Sequence, residues 1–238
     1  PTDQLKGEVS AGAGSRNSFN GHAIVSGPLS DKVQVRLAAT GDTRDGWIRN
    51  LTTGHIVGDQ SQFGGRGTVR FLPADNLTVD VIAQFQRAST APVSVLVTPP
   101  VALDQTLLAQ ASGKPVNYTL SRNQQYEEAD IKNGRLQDWS IAGHINWNVG
   151  GVDVKLILGY IEGINRFDVP QDALSTPFIQ IARDDKSKAY SAELNVSGEA
   201  GGLQWIAGGY AFKEDYDANL NFRFPVTAII PGLPGLVL

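Results

Sequence analysis

The sequence predicts an all-β chain, an up-and-down antiparallel meander of about nine long strands forming part of a transmembrane β-barrel. Three observations predict it. Apolar and polar residues alternate with period two through most of the chain, which gives each strand one apolar and one wet face. The alternating segments run for roughly 9–11 residues, the span a tilted strand needs to cross a bilayer and well above the usual 5–6. Tight turns and long loops alternate, so one end of the meander carries only turns and the other all the long loops.

The elements follow in order. Strands are expected at Lys6–Ser15 and Phe19–Gly27, the second without a clear phase. Val33–Thr43 sets Val33, Val35, Leu37 and Ala39 against Gln34, Arg36, Thr40 and Asp42. Gly64–Leu72 comes next. Leu77–Arg87 sets Leu77, Val79, Val81, Ala83 and Phe85 against Thr78, Asp80, Gln84 and Gln86, with Ile82 breaking the polar face. In Trp139–Val149, Ile141, Gly143, Ile145, Trp147 and Val149 alternate with Ser140, Ala142, His144, Asn146 and Asn148. Val152–Glu162 and Ala189–Gly198 follow, the latter with Tyr190, Ala192, Leu194 and Val196 on one face. The last, Leu203–Asp215, fits either phase. The turns around Pro28, Asn76, Gly151 and Gly201 hold the Gly, Pro, Asn and Asp that tight reversals demand. The long connections are Thr43 to Phe63, Ser89 to Asp138 and Arg166 to Ser187.

Composition narrows the function classes. Twenty Lys and Arg against 24 Asp and Glu give a net charge of −4, which argues against a nucleic-acid binder. Without cysteine there is no disulfide scaffold, thiolate zinc site or thiol nucleophile. The longest apolar clusters, around Val93–Val97 and Thr227–Ile230, are far too short for a membrane helix. Residues 1–14 do not read as a signal peptide, and a chain opening Pro1-Thr2-Asp3 with no Met reads as an internal or processed piece. A soluble β-sandwich also alternates, but long strands, lopsided connections and the loop from Ser89 to Asp138 count against it. No repeat of propeller length is present.

Several segments then resemble one family. Ser26-Gly27-Pro28-Leu29-Ser30-Asp31-Lys32-Val33-Gln34-Val35-Arg36-Leu37-Ala38 resembles the first periplasmic hairpin of TonB-dependent outer-membrane receptors. Thr43-Arg44-Asp45-Gly46-Trp47-Ile48-Arg49-Asn50 and the segment from Gly64 to Pro73 are similar to the next loop and strand. The segment from Leu203 to Glu214 is similar to a later Trp-x-Ala-Gly-x-Tyr strand. The similarity extends in family order to about Phe224 and is nearest the ferric-siderophore branch. It implies a barrel of about 22 strands around a plug. Residues 1–238 then form the N-terminal part of that barrel, without plug, energy-coupling box or terminal strand, and so an open curved sheet with exposed edges.

The resemblance implies an outer-membrane location in a Gram-negative bacterium and active import of a scarce bulky nutrient, an iron–siderophore complex foremost. The implied partners are outer-membrane lipid, the ligand, and the TonB–ExbB–ExbD complex acting through the plug; no nucleic acid and no cofactor is implied. A passive porin-like channel and a soluble carbohydrate-binding sandwich are the alternatives.

Few residues carry chemistry. His22, His55 and His144 lack ligand spacing, so no metal site is expected. Glu127-Glu128 and Asp184-Asp185 read as solvated loop pairs. Gly12-x-Gly14 and Gly65-x-Gly67 are strand or turn glycines with no helix to receive a phosphate. No catalytic triad or acid–base pair is evident, so the chain is not read as an enzyme; catalytic, metal and cofactor residues are none. Trp47, Trp139, Trp147, Trp205, Tyr160, Tyr190, Tyr210 and Phe212 are expected in interfacial girdles. Arg36, Arg70, Lys155 and Glu193 are expected to point into the lumen. The loop from Ser89 to Asp138, which mixes Val93–Val97, Leu107 and Leu108 with Gln124, Gln125, Glu127 and Glu128, is the place where ligand contacts are expected.

Overall fold

The computed structural model describes residues 1–51, 53–90, 124–125, 132–170 and 180–223. Among them there is no helix; the elements are twelve strands. They are β1 (Lys6–Gly14), β2 (Ser18–Ser30), β3 (Val33–Arg44), β4 (Ile48–Asn50), β5 (Ile56–Val57), β6 (Gln60–Ala74), β7 (Leu77–Thr90), β8 (Gln124–Gln125), β9 (Lys132–Val149), β10 (Val152–Pro170), β11 (Gln180–Ala200) and β12 (Leu203–Arg223). Nine make one antiparallel sheet in the order β1-β2-β3-β6-β7-β9-β10-β11-β12. All nine expected strands are present, in the expected order. This is a partial antiparallel barrel. Among the described residues, the outer edges of β1 and β12 have no partner.

Most strands are longer than the alternation suggests, by most at the long-loop end. β9 begins at Lys132 rather than Trp139, β10 runs on to Pro170, β11 begins at Gln180 and β12 continues to Arg223. Beyond the level of Trp139, Tyr160 and Tyr190 both faces of the sheet carry polar and charged residues. The apolar rhythm stops there while the hydrogen-bonded ladder continues.

Tight turns close the other end. Gly150 and Gly151 have φ of 59° and 87°, and Gly201 and Gly202 have 59° and 83°. Positive φ at both central residues is the two-residue hairpin geometry whose twist matches the flanking strands. At the neighbouring turn the Asn76 side-chain amide donates to the Asn148 carbonyl at 2.8 Å and the Asn148 N–H returns to the Asn76 carbonyl at 2.9 Å. These bonds tie two hairpins together.

Register and exposure settle the faces. Val25, Leu37, Val69 and Val81 lie side by side on one face and remain 44–57% exposed. Ser26, Gln34, Thr68 and Asp80, on the opposite face, are at most 8% exposed. The sheet curves, its concave side crowds the polar residues, and its convex side presents the apolar ones. Polarity is thus the reverse of a water-soluble domain's.

From the level of Trp147 and Trp205 to that of Val81 and Leu158, the convex positions carry no charge; charge enters with Lys213 at the level of Tyr160 and with Glu162, Lys188 and Asp215 at the level of Trp139. Aromatics mark the upper border in contact: Phe63–Phe85 at 5.6 Å, Trp139–Tyr160 at 4.9 Å and Tyr160–Tyr190 at 4.9 Å between centroids. At the lower border Trp205 lies over Gly198, where a Cβ would come within 2.9 Å of the indole.

Two measurements follow, both on the protein refolded in lipid. Val81→Arg on the convex face should cost about 2–4 kcal/mol in urea titration, whereas Gln84→Glu on the concave face, directly opposite Arg66, should cost well under 1 kcal/mol. Gly201→Val, which forces a β-branched residue to positive φ, should cost about 1–2 kcal/mol.

Candidate functional site

The concave face is the surface on which polar chemistry collects. Arg36, Arg70, Lys155 and Glu193 all stand on it by register, as the sequence predicts. Its best-formed pair is Arg70 with Asp80: Nε donates to Oδ1 at 2.7 Å and a terminal nitrogen donates to Oδ2 at 2.8 Å. Such a bidentate fork fixes both side chains and joins β6 to β7. Nearby, Gln34 donates to Asp3 at 2.6 Å and Thr2 to Ser26 at 3.0 Å, so the residues before β1 lie against the concave wall near the turn end.

Further toward the loops the wall holds His22 with Glu8 at 2.9 Å, Gln86 donating to Asp138 at 2.6 Å, and Ser187 donating to Glu214 at 2.7 Å. Arg183 bridges Asp185 at 2.5 Å and the Tyr216 hydroxyl at 3.1 Å. The hydroxyl contact and then Asp185 push the Arg183 guanidinium above its ordinary pKa.

Some expectations require correction. Asp184-Asp185 is not a loop pair: both lie in β11, where successive side chains point to opposite faces. Asp184 receives Arg166 on the convex side at 2.9 Å, and Asp185 meets Arg183 on the concave side. Tyr210 and Phe212 are not in a girdle. β12 pairs Glu193 with Tyr210 and Ser191 with Phe212, so both rings join the concave face, stacked at 6.4 Å. Trp47 is not in a girdle either; it sits in the loop after β3. Trp139, Trp147, Trp205, Tyr160 and Tyr190 take the convex positions expected of them.

His22 and His144 lie on separate strands and His55 lies in a loop; no group of three or more His, Cys, Asp or Glu that could hold a metal occurs among the described residues. Gly12, Gly14, Gly65 and Gly67 are strand residues. Glu127-Glu128, Val93–Val97, Leu107, Leu108 and the Thr227–Ile230 cluster lie outside the described residues.

The connection from β3 to β6, expected as plain loop, contains β4 and β5, and β8 from the next long loop pairs parallel to β4. Ile48 and Asn50 are fully buried there, and Val57 is 6% exposed. Gly46 is required: a Cβ there would run into the Val57 carbonyl. This small sheet is held to the β1–β2 turn. The Asp45 N–H donates to the Arg16 carbonyl at 2.9 Å, Asn17 donates to Asp45 at 2.6 Å, and the Arg16 guanidinium lies 5.6 Å from the centroid of Trp47. Arg16 and Asn17 hold positive φ, 62° and 48°, in the same turn. The Thr-Arg-Asp-Gly-Trp run signalled a loop but not its anchor, because the partner, Arg16, lies 31 residues from Trp47.

With the geometry in place, comparison places the fold. No family model matches the sequence, and no curated protein matches it significantly. Solved structures do match. The ferric yersiniabactin uptake receptor FyuA of Yersinia pestis superposes over 94% of this chain with TM-score 0.75 at 15% identity. The siderophore receptor PiuA of Acinetobacter baumannii covers 95% with TM-score 0.67 at 11% identity. The ferripyoverdine receptor of the outer membrane of Pseudomonas aeruginosa covers 92% with TM-score 0.62 at 14% identity. This chain spans 33%, 34% and 29% of those chains, about a third of each. Its fold is that of part of the barrel of a TonB-dependent receptor.

Removing one member of the Arg70–Asp80 pair strands a partly buried charge. Asp80→Ala and Arg70→Ala should each destabilise by about 1–3 kcal/mol, and the double variant by clearly less than their sum, measured as a double-mutant cycle. At the loop end, the Arg166 hydrogen bond holds the Asp184 carboxyl below its ordinary range. The pair's contribution is therefore complete above about pH 4 and fades as pH falls through the lowered folded value. Amide protection factors at the top of β10 and β11, corrected for the intrinsic exchange rate at each pH, should fall on that acid side only.

Proposed function

We propose that residues 1–238 are the N-terminal part of the barrel of a TonB-dependent receptor in the outer membrane of a Gram-negative bacterium, a transporter rather than an enzyme. One observation carries the reading: nine strands present an uncharged apolar band outward, bordered by aromatics, and a hydrogen-bonded polar face inward. A plug, reached through the concave side where Thr2 and Asp3 already lie, and further strands complete the barrel. The chain's span of about a third of the matched structures supports that division.

The cargo is a scarce, bulky nutrient, an iron–siderophore complex foremost. The named cargoes of the similar structures, yersiniabactin with ferric iron and ferripyoverdine, support the class. Energy comes from the TonB–ExbB–ExbD complex through the plug. In this orientation the turns at Pro28, Asn76, Gly151 and Gly201 are periplasmic, and the loops around Thr53, Gly113 and Ala173 are extracellular.

Uptake of iron-loaded siderophore by cells carrying the full-length protein should vanish in a strain lacking TonB and on collapse of the proton-motive force. Equilibrative entry of small solutes that persists without TonB would make the protein a passive channel. Topology has its own test, since this chain has no native cysteine. A single cysteine at Thr53 should react with a membrane-impermeant reagent on whole cells, and one at Gly201 should not; the reverse pattern would invert the orientation.

A further inference from the structure

The chain lies on the inner wall before it enters β1. Leu5 still follows the β1 line, close enough to β2 that a Cβ at Gly27 would stand 2.9 Å from its Cα. On that line Thr2 would come opposite Ser30. It meets Ser26 instead, hydroxyl to hydroxyl at 3.0 Å, and also lies 2.8 Å from the Gln4 carbonyl. One residue on, Gln34 of β3 donates to the Asp3 carboxylate at 2.6 Å. Residues 1–5 therefore form a strap that runs across the strands and not along them, near the turn end.

Both fastenings are sheltered. Ser26 is 2% and Gln34 7% exposed, so water competes little for either bond. The bond to Asp3 has an ionised acceptor, the stronger kind. Asp3 is also in electrostatic contact with Arg70 on β6, whose guanidinium fork is taken by Asp80, and Arg36 stands on the same face two residues beyond Gln34. Unfastening the strap would break these contacts and lengthen the tether to β1 by at most about 17 Å. A domain that must clear a path for bulky cargo gains little from so short a slack.

We propose that residues 1–5 stay fastened to β2 and β3 throughout transport, and so form the fixed end against which the domain preceding them is remodelled inside the barrel. The inference rests on the receptor reading above and adds to it the point at which moving and fixed parts meet.

The test uses the full-length protein carrying Thr2→Cys/Ser26→Cys, whose sulfurs take the places of two oxygens 3.0 Å apart. Mild oxidation should close that disulfide, read as loss of thiol labelling in the denatured protein. It should leave open Thr2→Cys/Asp153→Cys, whose second site is on the inner face of β10. A first pair that stays open would remove the strap itself. TonB-dependent uptake of radioiron-loaded siderophores, taken from the supernatant of the protein's own iron-starved bacterium, should run equally fast in oxidised and reduced cells. Uptake that oxidation stops and dithiothreitol restores would overturn the inference, because the strap would then have to open. Asp3→Lys sets a cation beside Arg70 and unfastens the strap, so entry of a bulky antibiotic that native cells exclude should rise about tenfold or more. Asp3→Asn, which keeps an acceptor for Gln34, should raise it far less. Native exclusion of the antibiotic by an Asp3→Lys protein that assembles as a heat-modifiable band would also overturn the inference. Failure of the native protein to take up iron in a TonB-dependent way would instead remove the receptor reading, and this inference with it.

Discussion

A strand that crosses hydrocarbon must find a hydrogen-bond partner for every backbone N–H and C=O in its neighbours, because no water is there to supply one. The nine-stranded ladder meets that demand from β1 to β12, and the remaining features follow from it. Side chains alternate sides at every step, so one face can be wholly apolar while the other is free to be polar. The apolar residues then have no interior to fill. Among the described residues the only buried apolar cluster, Ile48 with Val57, belongs to the small sheet beyond the barrel wall rather than to the wall itself.

The concave face obeys a different rule. A buried polar group is tolerated when it is paired, and Arg70 with Asp80 and Gln34 with Asp3 meet that condition across adjacent strands or to the chain before β1. Near β12 the character changes, as Tyr210, Phe212 and Tyr216 line the same face beside Ile157 and Ile161. The inner wall is thus polar along β2 to β7 and aromatic toward β12.

Much of this was legible in the sequence because period two is a direct image of a two-faced strand. Val33 to Asp42 and Leu77 to Gln86 show it plainly, and both strands lie where they should. The signal faded for physical reasons. Beyond Trp139 and Tyr160 both faces carry polar and charged residues, so the ladder extends through Lys132 and Pro170 without an apolar rhythm to betray it. β12 was ambiguous because Gly208 and Gly209 are neighbours on opposite faces and Ile206 faces inward; only the pairing of Leu194 with Gly209 fixed its phase. The split of Asp184 from Asp185 follows from strand geometry once that segment is known to be a strand, and its neighbourhood of charges disguised it as a loop. The anchoring of Trp47 by Arg16 is a tertiary contact that no local pattern encodes.

The central claim is that alternate residues of one strand see lipid and lumen, and spin-label accessibility along β7 measures it most directly. Single cysteines from Leu77 to Gln86, labelled in the full-length protein reconstituted in bilayers, report collisions with oxygen, which concentrates in hydrocarbon. Collision rates are predicted to be high at positions 79, 81, 83 and 85 and low at 78, 80, 82 and 84, with low access throughout the high set for a water-soluble nickel chelate. Uniform access of the chelate along the strand, or oxygen collisions without alternation, would contradict a lipid-facing convex surface.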